Sequence, residues 1–207
     1  ELLFTQSVEQ FGAVFGTVYG WERPGWFAPA GYELTEEALA KPDVLMNENH
    51  PPTGSGEKPR EKWSFRRSNY FELVGRECRH VHEAVGLQDM SAFAKYEVSG
   101  PGAAAGLDGL LANRIPKTIG RMALTHLLSK NGGVRSEFTV LREGPEQFYL
   151  VGAGALERHD WDMLRKARPR DGSVELQKVT TQHGVLVVAG PQSRALLQTL
   201  TDTDLSN

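Results

Sequence analysis

The dipeptide Asn131-Gly132 stands between two runs of alternating apolar and polar residues, and nothing else in the chain restricts its fold as strongly. Asparagine and glycine tolerate positive φ at both central positions of a two-residue turn, so 121–128 and 134–142 are predicted to be the arms of a β-hairpin. Side chains alternate along a strand, which places Val134, Ser136, Phe138 and Val140 on one face and Arg135, Glu137 and Thr139 on the other. Glu137 stands out. A carboxylate in a strand lies either on the wet face of an antiparallel sheet, here beside Arg135, or in a ligand site. The hairpin alone leaves both readings open.

Composition closes off several function classes. At 207 residues and 22.9 kDa the chain can bury one good-sized core with an extra segment, or two small ones. Its net charge of -3 and pI near 6.1 supply no basic field to hold nucleic acid or an anionic membrane. No apolar run approaches the ~20 residues needed to span a bilayer. The single cysteine, Cys78, can form neither an internal disulfide nor a multi-cysteine metal site, which fits a reducing compartment: cytoplasm, or the mitochondrial matrix in a eukaryote. Residues 1–5 hold neither a basic stretch nor a cleavable apolar core, so no secretory signal is expected there. The lack of an initiator methionine suggests a piece of something longer.

Along the chain, residues 1–29 are rich in glycine and aromatics without a sustained helical or strand period, and 41–60 carry Pro42, Pro51, Pro52, Gly54, Gly56 and Pro59. The second stretch reads as a linker, with a boundary near residue 60. Tyr70, Val74, Cys78, Val81 and Val85 then recur at helical spacing, with Asn69 and Glu72 as a capping pair, Gly86 as the stop and Cys78 packed on the apolar stripe. Strands are expected at 94–98, 148–153, 174–179 and 185–189, and helices at 101–111, 155–166 and 191–200. Val98-Ser99-Gly100-Pro101 and Val188-Ala189-Gly190-Pro191 resemble each other 90 positions apart. They suggest two related strand-to-helix modules on a shared sheet, with each proline in a first helical turn.

Several chemical candidates reduce to structural roles. The glycines from Gly100 to Gly106 follow a strand and open a helix, but that strand alternates, with Lys95 and Glu97 outward, and no acidic residue follows at the spacing a dinucleotide site needs. A helix-start turn accounts for them. His80 and His82 point to different sides of their helix and read as solvated. His126 reads as a sheet-face or core histidine, and as a ligand-lining one only where the hairpin edges a pocket. No metal site is expected.

Residues 67–103 and 111–140, taken in order, resemble the part of dimethylglycine and sarcosine dehydrogenases that is homologous to the glycine-cleavage T-protein. The run at 15–24, Phe-Gly-Thr-Val-Tyr-Gly-Trp-Glu-Arg-Pro, looks like their junction with a flavoprotein half. The resemblance implies an α+β fold, a mixed or antiparallel sheet with packed helices, forming a partial aminomethyltransferase-like folate-binding domain over 61–207. Residues 1–60 would be the tail of the flavoprotein half and a linker. In such enzymes FAD serves oxidation of an N-methylated amine, electrons pass to an acceptor the residues do not name, and tetrahydrofolate captures the one-carbon unit as 5,10-methylenetetrahydrofolate.

The T-protein pattern Gly-Gly-Ile-x-Asp-Asp becomes Gly132-Gly133-Val134-Arg135-Ser136-Glu137, which puts its second acidic position on Glu137 as the catalytic carboxylate. The stretch Asp89-Met90-Ser91-Ala92-Phe93-Ala94 puts Phe93 against folate. Leu127 and Leu128 are candidate apolar walls, and Arg135 a neighbour that keeps Glu137 ionised. The FAD fingerprint is expected before Glu1 and the pterin-binding Tyr-Thr-Gly-Glu segment beyond Asn207. A middle fragment of this kind carries no flavin and oxidises nothing alone. The rival readings are a stand-alone aminomethyltransferase and a non-catalytic regulatory or scaffold homologue, such as a phosphatase regulatory subunit.

Overall fold

The computed structural model describes residues 9–18, 21–31 and 70–206, which therefore leaves the Asn69 cap and the boundary near residue 60 outside the described residues. In chain order its elements are β1 (Ala13–Val18), β2 (Trp21–Phe27), α1 (Phe71–Glu83), β3 (Gly86–Asp89), β4 (Ala94–Ser99), α2 (Ala103–Leu110) and β5 (Met122–Leu128). Then come β6 (Val134–Gly144), β7 (Gln147–Gly152), a 3-10 turn (Gly154–Leu156), α3 (Glu157–Ala167), β8 (Glu175–Lys178), β9 (Leu186–Ala189) and α4 (Ser193–Gln198). The contacts divide into two compact units, 91–185 and the remainder.

The 91–185 unit is an antiparallel sheet of order β5-β6-β7-β4-β8. One face is apolar and closed: Tyr96, Val98, Leu127, Phe138, Val140, Phe148 and Leu150 are buried there in one cluster with Ala103 and Leu107 of α2 and Leu164 of α3. Removing each large side chain from water contributes about 1.5–3 kcal/mol, so this layer dominates the unit's stability. Tyr96 stacks on Trp161 of α3 at 6.2 Å and meets Phe138 edge-on at 6.2 Å. Its hydroxyl donates to the Glu157 carbonyl at 3.0 Å, and burial first, then Asp160 and Glu157, hold it far above the usual tyrosine range. The helix that covers this face also lowers one carboxylate into it: Asp160 is fully buried and accepts from Ser136 Oγ at 2.9 Å.

The hairpin forms, but its turn is one residue longer than the Asn131-Gly132 reading. Ser129 and Gly132 close it through Gly132 N–H to Ser129 O at 2.9 Å, leaving Lys130 and Asn131 at the centre. Gly132 carries the positive φ of +80° as a third loop residue. The surplus is absorbed by a bulge in β6: Leu127 faces Ser136, yet Leu128 faces Val134, so Arg135 is the extra residue. Val134 is thereby turned to the opposite face from Ser136, Phe138 and Val140 and is 65% exposed, which corrects the alternation expected for it. Beyond the bulge the pairing returns to the register that a two-residue turn would have set.

Other expectations change as well. Ala13–Val18 and Trp21–Phe27 form a two-stranded antiparallel sheet despite Gly16 and Gly25, with a bulge at Val14/Phe15 and Pro24 opposite Phe15. Both of its strands are edges, the place where a proline costs no ladder bond. Gly86 opens β3 and does not stop α1; it is glycine because an added Cβ would lie 2.4 Å from Val81 Cγ2. Cys78 is exposed, since α1 buries none of its residues completely. Lys95 does alternate away from Tyr96 but is fully buried, its ammonium donating to Ser91 O at 2.7 Å.

The two similar modules lie in different sheets. β4 belongs to the five strands, whereas β9 pairs with β3 alone. Pro101 and Pro191 sit in the turns before α2 and α4 instead of inside the helices. Locally the likeness is close. Gly100 and Gly190 both have positive φ, +107° and +124°, and each faces a backbone carbonyl, Ser173 O or Ala84 O, where a Cβ would come within 2.5 Å. Gly102 N–H then bonds Ser173 O as Gln192 N–H bonds Ala84 O, both at 2.9 Å. The strand before Gly100 is paired antiparallel on both sides, so these glycines serve close packing at a helix start.

Candidate functional site

The second face of the five-stranded sheet is where chemistry and exposure meet. Strand alternation sends Met122, Leu124, His126 and Leu128 of β5 outward, and the register sets His126 opposite Glu137 and Leu124 opposite Thr139. His126 Nε2 lies 3.1 Å from Glu137 Oε2; the two side chains are 33% and 57% exposed. A carboxylate accepts only, so the imidazole donates here through Nε2–H. Apolar surface flanks the pair, because Leu124 and Leu128 lie two residues either side of His126 on the same face and Val134 stands opposite Leu128.

Phe93 reaches the same neighbourhood by a different element. The register aligns Ala94, Gly152 and Phe138 across β4, β7 and β6. Phe93 directly precedes Ala94 and Glu137 directly precedes Phe138. Both therefore precede one row of the sheet, on strands two apart, about 10 Å at the usual strand spacing. β7, the strand between them, ends at Gly152. Further along the face Tyr149 hydrogen-bonds His183 Nδ1 at 3.1 Å. Its phenol is pushed up to about 12 by burial, with Glu97 and Glu143 adding to the shift.

Of the residues named from sequence, Glu137 and Leu128 lie on this face, and Phe93 immediately precedes the same row two strands away. Leu127 does not join them: it is buried in the core on the other face, so Leu124 and Leu128 supply the apolar surface beside the carboxylate. Arg135 is the bulged residue, and the Glu137 carboxylate is bonded by His126 rather than by Arg135. His126 is what sequence reasoning passed over as a partner. The signal was available, since counting back from Asn131-Gly132 sets His126 opposite Glu137 in any two-residue hairpin. Among the described residues no group of three His, Cys, Asp or Glu is placed to hold a metal ion, and no helix is long and apolar enough to cross a membrane.

The arrangement offers an exposed carboxylate with one oxygen engaged and one open, on a partly apolar floor. Such a site can take up a flat heteroaromatic ligand and accept a proton from a nitrogen held over it.

The family model described as the GCVT N-terminal domain matches residues 4–207. Mitochondrial dimethylglycine dehydrogenase of Mus musculus is 38% identical over 189 residues, 91% of this chain and 19% of that protein. Mitochondrial sarcosine dehydrogenase of Homo sapiens is 28% identical over 220 residues, 95% of this chain and 23% of that protein. The chain thus spans about a fifth of the length of these relatives. Among solved structures, glycine cleavage system aminomethyltransferase T from Bartonella henselae superposes with a TM-score of 0.69 at 20% identity, over 96% of this chain and 42% of that one. The α+β fold read from the sequence is that fold.

Proposed function

This chain belongs to the GCVT N-terminal domain family, and from that premise we propose that it is the tetrahydrofolate-holding part of an N-methyl amine dehydrogenase of the dimethylglycine and sarcosine type. In that reading the one-carbon unit released by oxidative N-demethylation leaves as 5,10-methylenetetrahydrofolate. Residues 1–60 join this domain to the flavoprotein half, which carries the FAD, takes the amine substrate and passes electrons to an acceptor. In a eukaryote the enzyme works in the mitochondrial matrix, otherwise in the cytoplasm.

The observation that carries the reading is the Glu137 carboxylate. It sits in the Gly-Gly-x-x-x-Glu context that resembles the T-protein acid position, and it lies open to solvent beside Leu124, Leu128 and Val134. An apolar-flanked strip with one carboxylate suits folate, a flat ring system whose nitrogens must lose protons while its rings stay dry. When bound, tetrahydrofolate supplies the nucleophilic nitrogens that take the one-carbon unit. Phe93, Leu124 and Leu128 would hold its apolar surface. Glu137 would accept a proton from a nitrogen and stabilise positive charge beside it, which requires an ionised carboxylate within hydrogen-bond reach.

In the full-length enzyme Glu137→Gln is expected to leave amine oxidation intact while slowing methylenetetrahydrofolate formation by roughly 10²–10⁴, the usual contribution of a positioned acid or base. Released formaldehyde should rise to match. Wild-type capture by this variant at saturating tetrahydrofolate would overturn the reading and leave Glu137 a solvated strand residue.

A further inference from the structure

We propose that His126 is the positioning residue for Glu137: its Nε2–H occupies Oε2 and so fixes the carboxylate with Oε1 as the oxygen that accepts the proton. The inference rests on the folate reading above but concerns a residue that reading does not need. Four observations support it. The two side chains stand directly opposite in an antiparallel pair, the arrangement in which cross-strand partners lie closest, and their polar atoms are 3.1 Å apart. Without that bond a side chain as exposed as Glu137 rotates freely among its rotamers, and a misplacement of 1 Å costs about 10²-fold in a reaction that depends on orientation.

The other candidate cation on the hairpin is out of register, since Arg135 is the bulged residue. Finally, the imidazole sits on a braced backbone. β6 pairs with its strand on one side, and on the other Ala112 N–H donates to His126 O at 2.9 Å while Asn113 N–H donates to Thr125 Oγ1 at 3.1 Å. An edge strand held on both sides gives the ring a fixed origin.

The lengths of loop and bulge bear on the same point. The turn at 129–133 has one residue too many and the bulge at Arg135 removes the surplus before position 136, so the pairing of His126 with Glu137 is preserved. One residue more or fewer would turn Glu137 to the core face.

The test uses the full-length enzyme with tetrahydrofolate and an N-methylated amine, comparing His126→Phe, His126→Gln, Glu137→Gln and the His126→Phe/Glu137→Gln pair. His126→Phe removes the donor and should slow one-carbon capture about 10–100-fold, with amine oxidation unchanged and tetrahydrofolate affinity within about threefold of wild type. His126→Gln keeps an N–H that reaches the carboxylate and should restore capture to within about fivefold. The double variant should be no slower than Glu137→Gln alone, since both substitutions disable one device.

Capture at the wild-type rate by His126→Phe, with Glu137→Gln slow, would overturn this inference and leave the folate reading standing. Equal slowing by His126→Phe and His126→Gln, or losses that multiply in the double variant, would also overturn it. Wild-type capture by Glu137→Gln would remove the folate reading and this inference together. Unchanged thermal unfolding of His126→Gln serves as the control for folding.

Discussion

Two histidine–carboxylate contacts of the same length, 3.1 Å, serve the two faces of one sheet and do opposite work. On the closed face, Asp160 of α3 is fully buried. Burial raises its carboxyl above the ordinary 3.8, with hydrogen bonds from His159 and Ser136 pulling the other way. Both of its oxygens are spent inside the protein, one on Ser136 and one on His159. On the open face, Glu137 is 57% exposed and gives one oxygen to His126. The difference between structure and site therefore lies in what is left over: a carboxylate with a free lone pair facing solvent can take a proton from a ligand, and one ringed by the chain's own donors cannot.

The contrast breaks most visibly in stability. Phe138→Ala empties a fully buried aromatic site between β6 and Tyr96 and is expected to cost about 3–5 kcal/mol. Urea unfolding reads this directly. A loss under about 1 kcal/mol would mean that the closed face is not the unit's core.

A second, intermediate effect depends on pH. A carboxyl whose folded value is raised stays protonated to higher pH in the folded chain than in the unfolded one. Its contribution to stability is complete below the ordinary value of 3.8 and is lost as pH rises through the raised folded value, because the charge must then be borne in the interior. Relative to Asp160→Asn, wild-type protein should therefore lose stability between about pH 4 and pH 7. Urea titrations of both proteins at the two pH values provide the check; a difference that stays constant or grows with pH would contradict the assignment.

The smallest effect is expected on the open face. Leu124→Thr puts a β-branched strand former at an exposed position and should change stability by less than about 0.5 kcal/mol. Tetrahydrofolate affinity of the full-length enzyme should nevertheless fall, which calorimetric titration would show. If stability dropped by several kcal/mol while affinity held, the open face would have to be counted as core.

The hairpin that carries the site was readable because two local signals agreed there, the turn dipeptide and an alternation that holds from Ser136 to Val140. The same period set Ser136, Phe138 and Val140 of β6 on the face that the structure buries. What failed to show were elements whose pattern is shorter than the period needed to recognise it: β3 has four residues, Gly86–Asp89, of which one is buried. β1 and β2 were hidden by Gly16, Gly25 and Pro24, residue types that weaken a strand pattern. Lys95 was assigned to water on its charge, yet its carbon stem is buried and its ammonium is met by a carbonyl, an arrangement fixed by a turn at Ser91 that no local pattern announces. Leu127 and Leu128 are alike by type, and it is plain alternation along β5 that sends Leu128 to solvent and Leu127 into the core.

The pairing of β3 with β9 joins Gly86 to Ala189 and Asp89 to Leu186. A ribosome makes these partners in order, and at about 5–20 residues per second the roughly hundred residues between them take on the order of 5–20 s. Over that interval the whole 91–185 unit is synthesised, and of its antiparallel pairings β5 with β6 and β6 with β7 join strands made one after the other. β3 thus waits with its hydrogen-bonding groups turned to water while the sheet beside it in sequence can close. A nascent chain stalled before residue 186 would carry β3 without its β9 partner, which makes the synthesis of 186–189 a clock for that pair and not for the hairpin that holds Glu137.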